Sequence, residues 1–197
     1  LDYSGEMIEE AKRSAEEAGV SDRITFHQGD INSIPTLFTN THFDLILCHN
    51  VLQYVDDINT AIKTMSKALK LNGSLSIIAV NRNSEPYRLA LHQLDLDGAL
   101  ASLDADMLRT AVFNADVHAR SVEDLREPLR AAGCSIEGDY GIRCVCDYIQ
   151  NDEIKNDPAF FAKLEKLEYE LSGRAPFKNM AKFFQVVARK EEQNIRG

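Results

Sequence analysis

The sequence contains no C-x-x-C pair, no internal repeat and no apolar run close to the about 20 residues that a membrane helix needs. No histidine lies at zinc-finger spacing from the four cysteines, which are Cys48, Cys134, Cys144 and Cys146. These absences argue against a zinc module, a repeat protein and a membrane protein. We therefore expect a cytoplasmic protein without a bound metal, in which all four cysteines are reduced.

Basic residues are also scarce. The chain has 22 lysines and arginines against 31 aspartates and glutamates, which gives a formal net charge of −9 and a pI of about 5.0. This balance argues against broad electrostatic adhesion to nucleic acid or anionic membranes, although a local basic docking face stays open. The 197 residues are 44% hydrophobic, which is enough for one well-packed domain with a small appended subdomain.

Helix and strand signals alternate in the first half of the chain. Ser4 is a candidate N-cap, and the apolar stripe behind it predicts a helix that ends at Gly19. A second helix is predicted at residues 58–69, and strands are predicted at 24–28, 43–49 and 74–80. The run at 43–49 is almost continuously apolar, as in strands buried on both faces of a parallel sheet. The alternation predicts βαβ units.

The alternation of helix and strand signals ends after residue 82. Residues 83–119 carry leucines at helical positions and few strand signals, so we expect an inserted helical lid. A helix ending at Gly133 resumes the pattern, followed by a strand at 135–146, a helix from Asp157 and a strand at 181–189. Cys144 and Cys146 alternate on the predicted strand and are expected on opposite faces.

Asp2 lies at a predicted strand end, directly before a helix. A carboxylate there can accept hydrogen bonds from both hydroxyls of a ribose, which points to an adenosine-containing cofactor. The alternative is an ordinary helix-start aspartate that interacts with the helix dipole. The neighbouring Tyr3 can stack its ring on an adenine, or it can be a simple core or surface aromatic.

Two further strand ends carry candidate ligands. Asp30 follows the 24–28 strand and can accept the adenine amine, while the N–H of Ile31 can meet a ring nitrogen; the alternative is a common Gly-Asp turn. His49 ends the apolar strand, where open α/β sheets bind their ligands, and it can bond the cofactor or accept a proton. Its alternative is a structural histidine that caps the next helix.

Arg143 and Tyr148 flank a late strand and are the substrate-side candidates. An arginine that faces the cleft can fork onto a carboxylate or phosphate, whereas the alternative is an ion pair with Asp147 or a solvated face. A basic cluster before the last strand is a candidate anion-binding or RNA-contacting edge, with a solvated surface as its alternative. Its members are Arg174, Lys178 and Lys182.

Four motifs in order resemble a class I S-adenosylmethionine-dependent methyltransferase. They are Asp-x-Ser-x-x-Met from Asp2, Gly-Asp-Ile from Gly29, Phe-Asp-Leu-Ile-Leu-Cys-His-Asn-Val-Leu-Gln-Tyr-Val from Phe43, and Leu-Lys-Leu-Asn-Gly-Ser-Leu from Leu69. The resemblance implies S-adenosyl-L-methionine as cofactor, Asp2 as the ribose ligand, Asp30 and Ile31 as the adenine contact, and His49 beside the methionine part. It also implies a glycine-rich loop that this sequence does not contain, and a chain lacking that loop is expected to bind the cofactor poorly.

A narrower resemblance is to the bacterial tRNA 5-carboxymethoxyuridine methyltransferases. It rests on Tyr3-Ser4-Gly5-Glu6-Met7-Ile8, on His49 with Val51-Leu52, and on Gly141-Ile142-Arg143 ahead of Asp147-Tyr148. It implies methylation of a carboxylate on a modified wobble uridine, with Arg143 as a clamp on the acceptor and tRNA as partner. Two alternatives stay open: an acidic or hydroxylated metabolite as acceptor, and a non-catalytic relative that binds the cofactor or a partner.

The predicted fold class is therefore α/β, a Rossmann-like methyltransferase sheet with helices on both faces and a helical insert. The first strand, first helix and second strand of such a sheet are expected to be absent from this chain. The predicted segments are a cofactor-binding part of the core at 1–82, the insert or lid at 83–120, a C-terminal part of the core with substrate-side elements at 121–189, and a tail at 190–197.

Overall fold

The computed structural model describes residues 1–109 and 115–192, and its centre is a four-stranded mixed sheet. The strands, in chain order, are β1 (Phe43–His49), β2 (Leu69–Val80), β3 (Met107–Arg109), β4 (Asp116–His118), β5 (Cys134–Ile142) and β6 (Phe183–Lys190). The helices are α1 (Gly5–Glu17), α2 (Ile34–Leu37), α3 (Ile58–Ala68), α4 (Glu85–Arg88), α5 (Leu96–Ser102), α6 (Glu123–Ala131), α7 (Pro158–Ser172) and α8 (Phe177–Met180). Within these residues no helix has the length and apolar character needed to cross a bilayer.

The sheet has the strand order β1-β2-β6-β5. β1 runs parallel to β2, while β6 runs antiparallel to both β2 and β5. Phe183, at the start of β6, therefore lies opposite Val80 at the end of β2 and Ile142 at the end of β5. We call this side of the sheet, where β1, β2 and β5 end and β6 begins, the carboxyl edge.

The main core lies between the sheet and the pair α3 and α6. In β2 the alternate residues Leu75, Ile77 and Ala79 are fully buried, as the period of two predicts for one face of a strand. In α3, buried Ala61, Ile62 and Met65 recur at helical spacing. Buried Leu125 and Leu129 of α6, one turn apart, complete this layer.

Most of the predicted elements are confirmed. The Ser4 hydroxyl accepts a hydrogen bond from the Met7 N–H at 3.3 Å, so Ser4 caps α1 as expected. The predicted helices at 58–69 and from Asp157 correspond to α3 and α7, and the last strand corresponds to β6. The mixed sheet with packed helices agrees with the predicted fold class, while the segment boundaries stay predictions.

Two predictions in the first half were wrong. β1 is not buried on both faces, because it pairs only with β2 in the described part of the chain and leaves Leu45 and Leu47 exposed at 52% and 61%. Residues 24–28 form no regular strand. They meet Asp2 in a single isolated bridge at Gln28.

The insert is helical only in part. A π-helical turn at Leu89–Gln93 joins α4 to α5, but β3 and β4 then form an antiparallel ribbon where we expected helix. The reason is a local period of two: Leu108 and Val117 are buried at the centres of their strands, and their strand neighbours point outward or lie half-buried. Residues 110–114 of the predicted lid lie outside the described residues.

A polar row crosses three strands near the carboxyl edge. The Ser76 hydroxyl of β2 lies 2.9 Å from Nε2 of His49 on β1, and the side-chain amide of Gln185 on β6 donates to the same hydroxyl at 2.9 Å. Burial lowers the pKa of His49 below its ordinary value, because a charged imidazolium loses hydration there. The histidine is therefore neutral at physiological pH.

We expect the free energy of unfolding to decrease as the pH falls below about 6.5, the ordinary histidine pKa. In that range the unfolded chain binds the His49 proton before the folded chain does, so protonation favours unfolding; above it this contribution is fully present. Urea unfolding at pH 7.5 and 5.5 measures the difference. His49→Gln should reduce the pH dependence; equal pH dependence in the wild type and His49→Gln contradicts the prediction.

Candidate functional site

A cavity of about 1120 Å³ lies along β1, on the edge of that strand that has no strand partner among the described residues. Asp2, Tyr3, Asp30 and Ile31 all line it, so the structure brings together four of the seven predicted site residues. Its apolar wall comes from β1 and α3 and includes Leu45, Leu47, Cys48, Met65 and Ala68. Four carboxylates stand around this wall, those of Asp2, Asp30, Asp56 and Asp57, and neither lysine nor arginine is among the described lining residues.

Backbone contacts hold Asp2 in place. Its N–H donates to the His27 carbonyl at 3.2 Å, and its carbonyl accepts from the Gly29 N–H at 2.9 Å. The side-chain Oδ1 accepts from the Ser4 N–H at 2.8 Å, at the start of α1. This leaves Oδ2 for a ligand within the described part of the chain.

Asp30 begins a 3₁₀ turn, Ile31–Ser33, and forms a capping box with Ser33. Its Oδ1 accepts from the N–H of Ser33 at 3.0 Å and from the Ser33 hydroxyl at 2.8 Å. These bonds, together with one from the Asn32 amide, lower the pKa of Asp30, so the carboxylate is ionised at neutral pH. The N–H of Ile31, the first residue of the turn, precedes the intrahelical bonds and can serve a ligand.

An aromatic group that the sequence analysis missed forms one end of the cavity. The His27 ring meets Phe38 edge to face at 4.9 Å, and Phe38 meets Phe43 at 5.2 Å. All three line the cavity, and Tyr3, 82% exposed, stands on the same wall. The local sequence gives no signal for this group, because its members lie in three separate segments. Together they provide aromatic contacts for a nucleobase, which can pack against a ring face or a ring edge.

The cavity can therefore hold a ligand with both an aromatic and a cationic part. Asp2 and Ile31 offer the acceptor and the donor that a ribose and an adenine require, and the apolar wall covers the remainder. Four carboxylates favour a positive charge such as a sulfonium. On these observations the residues present fit S-adenosyl-L-methionine.

Cys48 is the thiol in this wall. Burial raises its pKa to about 12, so it is not a thiolate at neutral pH. All four cysteines are free thiols in the structure, as expected. Cys48 therefore contributes apolar contact to the cavity wall and does not act as a nucleophile at neutral pH.

His49 is not among the cavity-lining residues. Its ring lies at the carboxyl edge with Nε2 held by Ser76, which leaves Nδ1 for a ligand within the described contacts. Arg143 and Tyr148 also lie outside the cavity wall, in the loop that follows β5. The structure thus separates the predicted residues into a cavity group and an edge group.

The expected strand at 135–146 ends earlier, at Ile142, because Arg143 adopts a left-handed backbone with φ of +62°. Cys144 and Cys146 therefore do not alternate on a strand, contrary to prediction. The Arg143 guanidinium pairs with Asp147 and lies 5.9 Å from the Phe183 ring centroid. The ion pair considered as the alternative for Arg143 is present, yet the Arg143 side chain is 47% exposed and open to an acceptor.

Tyr148 is more deeply placed in the same loop. Its hydroxyl donates to the Met180 carbonyl at 3.1 Å, and its ring lies 6.4 Å from Tyr87 and 6.1 Å from His92 of the insert. Burial raises the Tyr148 pKa, so the phenol stays protonated. Tyr148 thereby connects the loop after β5 with the insert.

Hydrogen bonds along the carboxyl edge connect the two groups. Buried Arg120 donates to the carbonyls of Leu52 and Val55, in the turn that follows β1 and lines the cavity. Its own carbonyl accepts from the Arg82 N–H at 2.7 Å, directly after β2. Beside it, the Asn81 N–H donates to the Lys182 carbonyl, and the Lys182 N–H donates to the Arg143 carbonyl. These contacts join residues 38 to 101 positions apart, so sequence patterns could not reveal them.

Comparison with known proteins agrees with this geometry. A family model described as a methyltransferase domain matches residues 1–156. The chain is 28% identical over 194 residues to the tRNA 5-carboxymethoxyuridine methyltransferase of Escherichia coli K12, across 97% of this chain and 70% of that protein.

Two solved structures share the fold. The S-adenosylmethionine-dependent methyltransferase from Mesorhizobium loti has a TM-score of 0.57 at 19% identity, over 96% of this chain and 78% of its own. The [4+2]-cyclase SpnF has a TM-score of 0.59 at 20% identity, over 96% of this chain, which spans 64% of the cyclase. At these identities the likeness concerns the fold. Because the family model covers most of the sequence, the chain belongs to the class I S-adenosylmethionine-dependent methyltransferases, enzymes whose cofactor is S-adenosyl-L-methionine.

Proposed function

We propose that this protein transfers a methyl group from S-adenosyl-L-methionine to the carboxylate of a modified wobble uridine in tRNA. The observation that carries the proposal is the carboxyl edge, which has the cavity at β1 and exposed Arg143 after β5. Three strand spacings of about 4.8 Å separate β1 from β5, so the two lie roughly 14 Å apart along one edge. Ligands of open α/β sheets bind at this edge.

In this proposal the cavity holds the cofactor. Asp2 accepts the ribose hydroxyls through Oδ2, and Asp30 and Ile31 meet the adenine edge while Tyr3 covers its face. His49 lies toward the methionine end, with Nδ1 available because Nε2 is held by Ser76. S-adenosyl-L-methionine, when bound, supplies the electrophilic methyl group that an acceptor carboxylate takes up as an ester.

The acceptor chemistry needs alignment rather than acid–base catalysis. A carboxylate is ionised at neutral pH and is already a nucleophile, so no general base has to activate it. This agrees with the site, where the Cys48 and Tyr148 pKa values are raised and both groups keep their protons. Arg143 can donate two parallel hydrogen bonds to the acceptor carboxylate in place of its contact with Asp147.

The E. coli relative supports tRNA as the acceptor, since the similarity extends over 97% of this chain. A second candidate acceptor is a small carboxylic acid. The ion pairs of the basic cluster favour it. Each of its three cations pairs with a carboxylate: Arg174 with Glu170, Lys178 with Asp139, and Lys182 with Asp147. RNA would have to replace these carboxylates, whereas a small acid has to replace only Asp147 at Arg143.

Asp2→Asn tests the cofactor site. Asparagine keeps an oxygen for the Ser4 N–H but loses the charge that the ribose hydroxyls meet, so we expect S-adenosylhomocysteine to bind about 1–3 kcal/mol more weakly. Isothermal titration calorimetry measures the affinity. Asp22→Asn, at an exposed position outside the cavity, is the matched control. An unchanged affinity in Asp2→Asn removes this carboxylate from the ribose site.

Arg143→Lys tests the acceptor side. The protein is incubated with S-adenosyl-L-methionine and purified tRNA carrying 5-carboxymethoxyuridine, and mass spectrometry of the nucleosides detects the methyl ester. Loss of the forked contact should lower kcat/KM by roughly ten- to a hundredfold and leave S-adenosylhomocysteine affinity unchanged. The control is Arg130→Lys, an exposed arginine on α6 that pairs with Glu127.

The tRNA reaction should also show a KM that rises with salt, because phosphate contacts release counterions. If the wild-type protein does not methylate this tRNA but methylates small carboxylic acids, the acceptor is a small acid and not tRNA. If Arg143→Lys weakens the cofactor and spares the acceptor, Arg143 belongs to the cofactor side.

A further inference from the structure

The loop after β5 is organised around one carboxylate from a distant helix. Three successive backbone N–H groups, those of Cys144, Val145 and Cys146, donate to Glu168 of α7 at 2.6, 2.8 and 2.7 Å. The left-handed backbone of Arg143 begins this concave arrangement, which is the geometry of a backbone anion nest. Glu168 is therefore the resident anion of the loop.

This contact fixes the path of the residues that flank it. Hydrogen bonds to an ionised acceptor are about twice as strong as neutral ones, and the loss of the acceptor would leave three half-buried donors unpaired. The loop contains Arg143 immediately before the nest and Tyr148 two residues after it. Other side-chain contacts of the loop include the Arg143–Asp147 pair, the Lys182–Asp147 pair and the Tyr148 hydroxyl on Met180. The rings of Tyr87 and His92 also contact Tyr148.

The nest also determines which group of this loop an incoming anion can contact. Because Glu168 already fills the N–H cluster, an incoming anion has no free backbone site there and meets the exposed guanidinium instead. Phe183 borders that guanidinium on one side and Asp147 on another. The direction in which Arg143 points thus depends on the loop conformation that Glu168 imposes.

We propose that Glu168 is a positioning residue for the acceptor: by holding the N–H groups of residues 144–146, it sets the orientation of Arg143 and Tyr148. This inference rests on the proposed function, in which Arg143 receives the acceptor carboxylate. Glu168 touches neither cofactor nor acceptor, and it acts through the loop backbone.

Glu168→Gln is the direct test. Glutamine has nearly the same shape but presents one amide group to donors that need an acceptor, so the nest loses at least one bond. We expect amide hydrogen exchange at residues 144–146, followed by NMR, to become about tenfold faster. The KM for the carboxylate acceptor should rise about tenfold, with the S-adenosylhomocysteine affinity within about twofold of the wild type.

Glu165→Gln is the matched control, since Glu165 is exposed and lies one turn earlier on α7. It should change neither hydrogen exchange nor KM. If Glu168→Gln fails to fold, Glu168→Asp takes its place: it keeps the charge on a shorter side chain and should shift both quantities in the same direction. Faster exchange with a wild-type KM assigns Glu168 a purely structural role and overturns the proposal, as does unchanged exchange.

The same experiment separates the two hypotheses. A wild-type protein that methylates no carboxylate acceptor overturns the proposed function, and the Glu168 proposal falls with it. A wild-type protein that does methylate one, beside a Glu168→Gln variant with a wild-type acceptor KM, overturns the Glu168 proposal alone. A raised KM with equal loss of cofactor affinity also overturns it, because the effect then reaches the cavity.

Discussion

Strand β2 is the constraint on which the arrangement of the site depends. It alone joins β1, with the cavity, to β6 and β5, with the Arg143 loop, in the described part of the sheet. It pairs in parallel on one side and antiparallel on the other, so the ends of β1, β2 and β5 and the start of β6 meet at one edge. Its buried residues Leu75, Ile77 and Ala79 fix this register, because a slip of one residue would turn all three away from α3 and α6.

The cavity depends on two aspartates that backbone groups hold in place. Asp2 and Asp30 come from segments with little regular structure of their own, yet each carboxylate accepts a backbone N–H: that of Ser4 before α1, and that of Ser33 in the 3₁₀ turn that Asp30 caps. For Asp30, the bonds from Ser33 and Asn32 lower the pKa, so this carboxylate is ionised without a basic partner. The cavity can therefore keep a negative character, since neither lysine nor arginine is among its described lining residues.

Much of this fold could be predicted, because its signals are local. The Ser4 cap, the apolar face of α3 and the Asp157 start of α7 each depend on residues within one or two turns. The errors share a different cause. β1 contains a sequence suited to full burial but leaves Leu45 and Leu47 exposed, and the β3–β4 ribbon is too short for its period to stand out. Arg120 and Glu168 act on backbone groups 22 to 68 residues away, which no local pattern records.

The separation of the cavity from the loop after β5 explains how one fold can serve different acceptors. The apolar cavity wall comes from β1 and α3, which also form part of the sheet and its main core, so this wall is tied to stability. Arg143 and Tyr148 instead lie in a loop whose shape comes from α7, through Glu168, and from the insert, through Tyr87 and His92. Changes in α7 or the insert can therefore redirect Arg143 and Tyr148 while Asp2 and Asp30 keep their places, since neither carboxylate shares a described hydrogen bond with those elements. A loop positioned by a rigid scaffold is where specificity can vary at the smallest cost to the core.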